Sequence, residues 1–269
     1  MMLRIAAALA AGLMAGAAGA GVYVESAERS AASETTLLAQ RLYAQGGAVR
    51  LEQLRPDGTV EGITIFRDDV LYLVEPAERR YSAVDRATAQ RVAAEIGSAM
   101  AEVRAQLARL PLDQRAMMER MMGGLAGGAG DVPVLEARDT GRSETVDGRS
   151  CRTWQVLLSG VVSSEMCVVP YSSLPGAEDL AAAMEGMASL MKEFTKAFAQ
   201  LGGGDRGIEA IGEVRGFPVL TREFSDGRAT GCETLVREWR EQDVPASQFE
   251  VPAGFRERDL LEEMERSRR

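Results

Sequence analysis

The stretch TVDGRSCRTWQVLLSGVVSSEMCVV, Thr145 to Val169, holds one of the chain's two tryptophans and two of its three cysteines. Its two halves alternate around Leu158-Ser159-Gly160 and read as a β-hairpin, because a three-residue loop favours glycine at its left-handed last position. That loop sets Leu157 opposite Val161, Gln155 opposite Ser163, Thr153 opposite Glu165 and Cys151 opposite Cys167. One face then collects the cysteines and the polar residues. The other collects Trp154, Val156, Val162, Met166 and Val168. A slip of one residue would exchange the faces and separate the cysteines, so polarity and cysteine pairing support the same register. Cys232 could instead take either partner; of the three possible pairings the hairpin favours Cys151 with Cys167. The Trp154 face suits either a plain core or the wall of a cavity.

Working outward, the chain on the N-terminal side is mostly strand-like. GVYVESAER and TTLLAQRLYAQ occupy Gly21 to Gln45, and AVRLEQL follows at Ala48 to Leu54. A turn at Pro56-Asp57-Gly58 leads to Thr59 to Phe66, then VLYLV at 70 to 74 and RYSAV at 80 to 84. The period then changes from 2 to 3.6. Val92, Ile96, Met100, Val103, Leu107 and Leu110 form one helical stripe with Asp85 as its N-cap. After Pro111 the helix resumes through Met117, Met118, Met121 and Met122 and dissolves into GGLAGGAG at 123 to 130. Val134 to Thr140 then returns to the sheet and ends at a Gly141 turn.

Beyond the hairpin, a second helix begins near Gly176 or Ala177. Leu180, Met184, Met187, Met191, Phe194, Phe198 and Leu201 make a narrow, methionine-rich stripe that stops at Gly202-Gly203-Gly204. Phe217 to Phe224 and Arg228 to Trp239 form a last hairpin about Asp226-Gly227. Gln248 to Val251 reads as one more short strand before a charged tail from Arg258. The expected architecture is α+β: an antiparallel, incomplete β-barrel of roughly ten strands with two long helical insertions covering its concave face.

Arg4, the apolar run Ile5 to Ala18 and the small-x-small site Ala18-Gly19-Ala20 read as a signal peptide over residues 1–20, leaving residues 21–269 as a single domain. Position 21 is glycine, so the lipidated cysteine of a bacterial lipoprotein is missing from its required place. No later stretch reaches about 18 uninterrupted apolar residues, so the exported chain is expected to be soluble and not membrane-spanning. An oxidising compartment makes a structural disulfide reasonable. The net charge is −9, which argues against nucleic acid and anionic lipid headgroups as partners.

The chain has no histidine and no asparagine, which removes Ser-His-Asp and Cys-His catalysis and histidine metal ligands. Ser189-Leu190-Met191-Lys192 matches the S-x-x-K spacing of serine acylating enzymes but lacks the companion motifs. GGLAGGAG follows a helix rather than a strand and carries no lysine, so it reads as a hinge rather than a phosphate loop. Asp68-Asp69 and Glu262-Glu263 lack calcium-loop spacing. No catalytic residue, metal site or cofactor is expected. Met184, Met187 and Met191 are unbranched and polarizable, and suit either ordinary core or a surface that repacks around different apolar partners.

The words VDGRSCRTWQV at 146 to 156, GFPVLTREF at 216 to 224 and FEVPAGF at 249 to 255, with RYSAVD before the first helix, resemble the LolA-like fold of periplasmic lipoprotein carriers. They resemble most a group of uncharacterised exported proteins of that fold. The resemblance implies a periplasmic or secreted, non-enzymatic protein whose cavity takes a lipid or lipoprotein acyl chain beneath a helical lid. Relatives of the fold also act as envelope regulators through protein contacts, which is the alternative. The resemblance assigns no residue; the ligand-lining set expected from the hairpin face and the methionine stripe is Trp154, Val156, Val162, Met166 and Val168 on the sheet with Met184, Met187 and Met191 on the lid.

Overall fold

The computed structural model describes residues 20–30, 33–111, 114–115, 135–199, 214–260 and 262. Residues 1–19, which hold most of the expected signal peptide, Met117, Met118, Met121, Met122, the GGLAGGAG run, and Leu201 to Gly204 lie outside that range. So do the side chains of Ile96, Met100, Val103, Phe194 and Phe198.

Residues of period two form the strands β1 (Gly21–Ser30), β2 (Ser33–Gln45), β3 (Ala48–Leu54), β4 (Val60–Arg67), β5 (Val70–Glu75) and β6 (Arg80–Val84). The second half contributes β7 (Leu135–Val146), β8 (Arg149–Leu158), β9 (Val161–Val169), β10 (Phe217–Ser225), β11 (Arg228–Gln242) and β12 (Arg256–Glu257). All twelve lie in one open sheet in the order β12-β6-β5-β4-β3-β2-β1-β11-β10-β9-β8-β7. Two meanders therefore meet where β1 pairs with β11. Every neighbouring pair is antiparallel except β12 with β6.

The last strand is a correction. Gln248 to Val251 is not a strand: Ala246–Phe249 is a single 3-10 turn, and the chain reaches the sheet edge only at Arg256 and Glu257. The Gln248 and Glu250 N–H groups donate back to the Pro245 and Ser247 carbonyls at 2.8 and 3.3 Å, closing local turns instead of a ladder. β7 also runs through the expected Gly141 turn, absorbing it as a bulge between Asp139 and Ser143.

Two 23-residue α-helices stand among the described residues, α1 (Arg86–Ala108) and α2 (Ala177–Ala199), and Gln114, Arg115, Leu260 and Glu262 are helical as well. The Thr88 N–H donates to the Asp85 carboxylate at 2.7 Å, which makes Asp85 the N-cap of α1. α2 lies across β1 to β4, whereas α1 packs mainly on α2 with a smaller contact to β6. α1 is thus largely a second layer over α2.

The sheet has two apolar faces. Val22, Ala44, Val49, Phe66, Leu71 and Val84 are successive cross-strand partners from β1 to β6, and all six are buried in the core that α2 joins. The next row, Tyr23, Tyr43, Arg50, Ile65 and Tyr72, points the other way. There Ile63, Ile65 and Val74 are covered by Val244 and Phe249 of the C-terminal segment. Period-two alternation on a sheet buried on both sides explains why several strands read as apolar throughout.

Candidate functional site

The site is built around α2. Its first turn is fastened by three contacts. Gly176 takes φ +69 and approaches the Gly21 and Ala20 carbonyls so closely that a Cβ would lie 3.0 and 3.2 Å from them. The Trp239 indole N–H donates to the Pro175 carbonyl at 2.8 Å. The Gly46 N–H donates to the Asp179 carboxylate at 2.7 Å. Leu180, Ala183 and Leu190 are then buried on one helical stripe. Gly186 lies over Phe66, whose ring Cε1 would be only 2.8 Å from an added Cβ. The glycine lets helix and sheet meet.

Met184 and Met187 are half-buried and pack on this core, and Met191 is half-buried one turn on. A seam lined by thioethers has few rigid, branched contacts to lose when the helix shifts.

The disulfide joins Cys151 and Cys167 across a Cα separation of 5.3 Å; Cys232 is unbridged. The hairpin register behind it differs from expectation. Leu158 pairs with Val161, so the loop is the two residues Ser159 and Gly160, at φ 50 and 80. A bulge between Val156 and Leu157 then sets Thr153 opposite Cys167 and Gln155 opposite Glu165. The net change is two residues for most of the hairpin, so the faces survive while the cysteines become diagonal rather than directly opposed. Beyond the bulge Val162 takes the place of Val161 opposite Leu157, and Val161 pairs with Leu158.

Which face is inside is the larger correction. Cys151 and Cys167 are 3% and 1% exposed and share the core cluster of Leu180, Met184 and Met187. Trp154, Val156, Val162 and Met166 are half-buried and belong to neither core cluster; Val168 is buried but also outside both. The lid methionines and the Trp154 set are therefore not brought together. Polarity misled here because the polar residues on the cysteine face do not meet water. Thr153 is buried, and Glu165, 8% exposed, is held by arginines instead.

Those arginines form a network that sequence reasoning missed. Arg222 on β10 donates to both Glu144 oxygens at 2.9 Å, to Glu165 at 3.3 Å and to Glu233 at 3.1 Å. Gln155 donates to Glu165 at 3.3 Å, Arg142 bonds it as well, and Arg29 bonds Glu233 at 2.7 Å. The hydrogen bond from Arg222 holds the Glu144 carboxyl below its ordinary range, and the same bond raises the guanidinium. Arg222 faces Glu233 only because β11 bulges between the pairs Phe224–Ala229 and Arg222–Glu233. Counting from the Asp226-Gly227 turn therefore does not find the pair.

Among the described residues, no group of three or more His, Cys, Asp or Glu side chains is placed to hold a metal ion. No described helix is long and apolar enough to cross a membrane.

What the geometry defines is an open, mostly antiparallel α+β sheet with one helix laid on an apolar row. No family model matches the chain, and no curated protein matches it. Among solved structures it is similar to an uncharacterised conserved protein from Thermus thermophilus, at 9% identity over 89% of this chain and 90% of that one, with a TM-score of 0.44. A LolA superfamily protein from Nitrosomonas europaea is a second neighbour, at 11% identity over 87% and 90% of the two chains, with a TM-score of 0.30.

Proposed function

We propose that the chain is an exported, soluble binding protein for a hydrophobic ligand, a lipid or lipoprotein acyl chain, held between α2 and the sheet. The observation that carries the reading is the seam itself. Half-buried Met184 and Met187 pack above a continuous apolar row, with Gly186 in contact with Phe66. Apolar burial would supply the affinity, and the helices would act as the cover. In this reading the site wall is the Val22 to Val84 row rather than Trp154 and its neighbours. A disulfide buried in that core fits an oxidising compartment such as the periplasm.

The test is native mass spectrometry and lipid extraction of protein purified from the periplasm. Copurifying lipid, or a rise in Tm on adding a detergent monomer, is the expected result. A protein that arrives empty and gains no thermal stability from any lipid or detergent would sink the proposal.

A second reading, an envelope interaction module, draws on the tip of the β8–β9 hairpin. Leu158 and Val161 flank the turn at 46% and 49% exposure. Crosslinking from Leu158 that recovers one stoichiometric envelope protein, undiminished in a Met187→Gln variant, would favour it.

A further inference from the structure

An open cavity of about 460 Å³ lies along β1, β2 and β11, with no residue of α2 in its lining. It is made by two bulges on either side of one strand. The register between β1 and β11 shifts after Glu25, which pairs with Glu238 while Ser26 pairs with Val236, so Arg237 is the extra residue. The register between β1 and β2 shifts one step later, between Ser26 and Ala27. Adjacent bulges bend a sheet and re-aim side chains, and here they put Arg237 into the cavity lining beside Ala27, Leu38 and Thr36.

The charges around the cavity are not equivalent. The Glu25 carboxylate accepts from the Tyr23 hydroxyl and lies 3.8 Å from Arg41. Glu238 is 3.0 Å from Arg240. Arg237 is exposed and has no hydrogen-bond or ion-pair partner among the described residues. Both carboxylates are thus committed within the protein, and the uncommitted charge is a guanidinium. Ala27 and Leu38 supply an apolar floor, and the Thr36 hydroxyl can donate a second hydrogen bond.

We propose that this cavity is a second binding site, for a small amphiphilic monoanion whose carboxylate pairs with Arg237 while its short alkyl chain lies on Ala27 and Leu38. A planar guanidinium matches a carboxylate in bidentate fashion. The site does not depend on the lipid seam under α2.

The probe is octanoate below its micellar concentration, with 1-octanol as its uncharged counterpart, titrated calorimetrically into the intact chain. Octanoate should bind the native protein. Arg237→Ala should weaken it about ten- to hundredfold, the range of one charge-assisted hydrogen bond. Arg237→Lys should recover part of the loss, and Thr36→Trp should block the site; both positions are exposed, and far-UV CD checks folding. Octanol should bind as weakly as octanoate binds Arg237→Ala. Octanoate affinity unchanged in Arg237→Ala, or octanol binding as tightly as octanoate, would overturn the proposal. Octanoate lost in Met187→Gln but kept in Arg237→Ala would place it in the seam and would also overturn it. Lipid copurifying with Arg237→Ala as with the native chain tests the seam separately.

Discussion

Arg222 reaches carboxylates on three other strands, so its removal leaves Glu144, Glu165 and Glu233 facing one another with fewer cations between them. Glu165 is the buried one of the three, shielded from water by the strands around it. Arg222→Ala should therefore cost about 2 kcal/mol, within the range for hydrogen bonds to charged groups at a partly buried site, read as a shifted urea midpoint. The pH dependence follows from Glu144. Its folded pKa is depressed by the Arg222 hydrogen bond from an ordinary value of 4.5. The unfolded chain then binds more protons, and the stabilisation is fully present above that ordinary value and is lost as pH falls through the folded one. Unfolding midpoints measured from pH 7 down to pH 3 should fall more steeply for the native chain than for Arg222→Ala. Parallel curves would show that the pair contributes nothing. None of this was legible in the sequence, because arginines and glutamates on strands read as solvated alternation until a bulge decides which of them meet.

At the scale of elements, the legible features were those with a local cause. Asp85 caps α1 as its spacing from Thr88 requires, and the stripe Leu180, Met184, Met187 and Met191 marks the side of α2 that meets the protein. The hairpin existed where expected, but its loop was shorter by one residue and a bulge took up the difference. A two-residue turn with both residues left-handed matches strand twist better than the longer loop. The cysteine bridge tolerated the change because a diagonal pair on one face is still within reach, at a Cα separation of 5.3 Å. The bridge spans a sequence separation of 16, so the Cys151→Ala, Cys167→Ala double variant should lose about 3 kcal/mol through the freed unfolded chain. Guanidinium unfolding followed by CD measures this. Because the bridge sits in the core that α2 joins, the loss should grow if the cavity left by the two sulfurs does not close. A double variant as stable as the native chain would mean that the hairpin is held by its ladder alone.

At the scale of the molecule, the sequence showed one sheet and its antiparallel habit but not its second face. Strands such as VLYLV at 70 to 74 read as apolar on both sides, and a half-barrel with one covered face offered no reason for it. The reason is the C-terminal segment. From β11 it crosses the outer face, where the Val244 N–H bonds the Gln45 side chain and Arg50 donates to the Gln248 carbonyl at 3.2 Å. It ends beside β6, where the Arg258 N–H bonds the Tyr81 carbonyl at 2.8 Å. Phe249 is the apolar anchor of this crossing, buried with Ile63, Ile65 and Val74. Truncating it removes most of a buried aromatic side chain and leaves a cavity, so Phe249→Ala should cost about 3–5 kcal/mol. The effect should be one-sided. The outer face would expose Ile63 and Ile65 and raise the fluorescence of a hydrophobic dye, while the α2 seam, on the other side of the sheet, keeps its contacts. If the seam holds lipid as proposed, that lipid should remain with Phe249→Ala at temperatures below its lowered Tm. If instead lipid and outer-face packing are lost together in native-state measurements, the two faces are coupled through the strands between them, and the C-terminal segment is part of the binding device rather than a separate clamp.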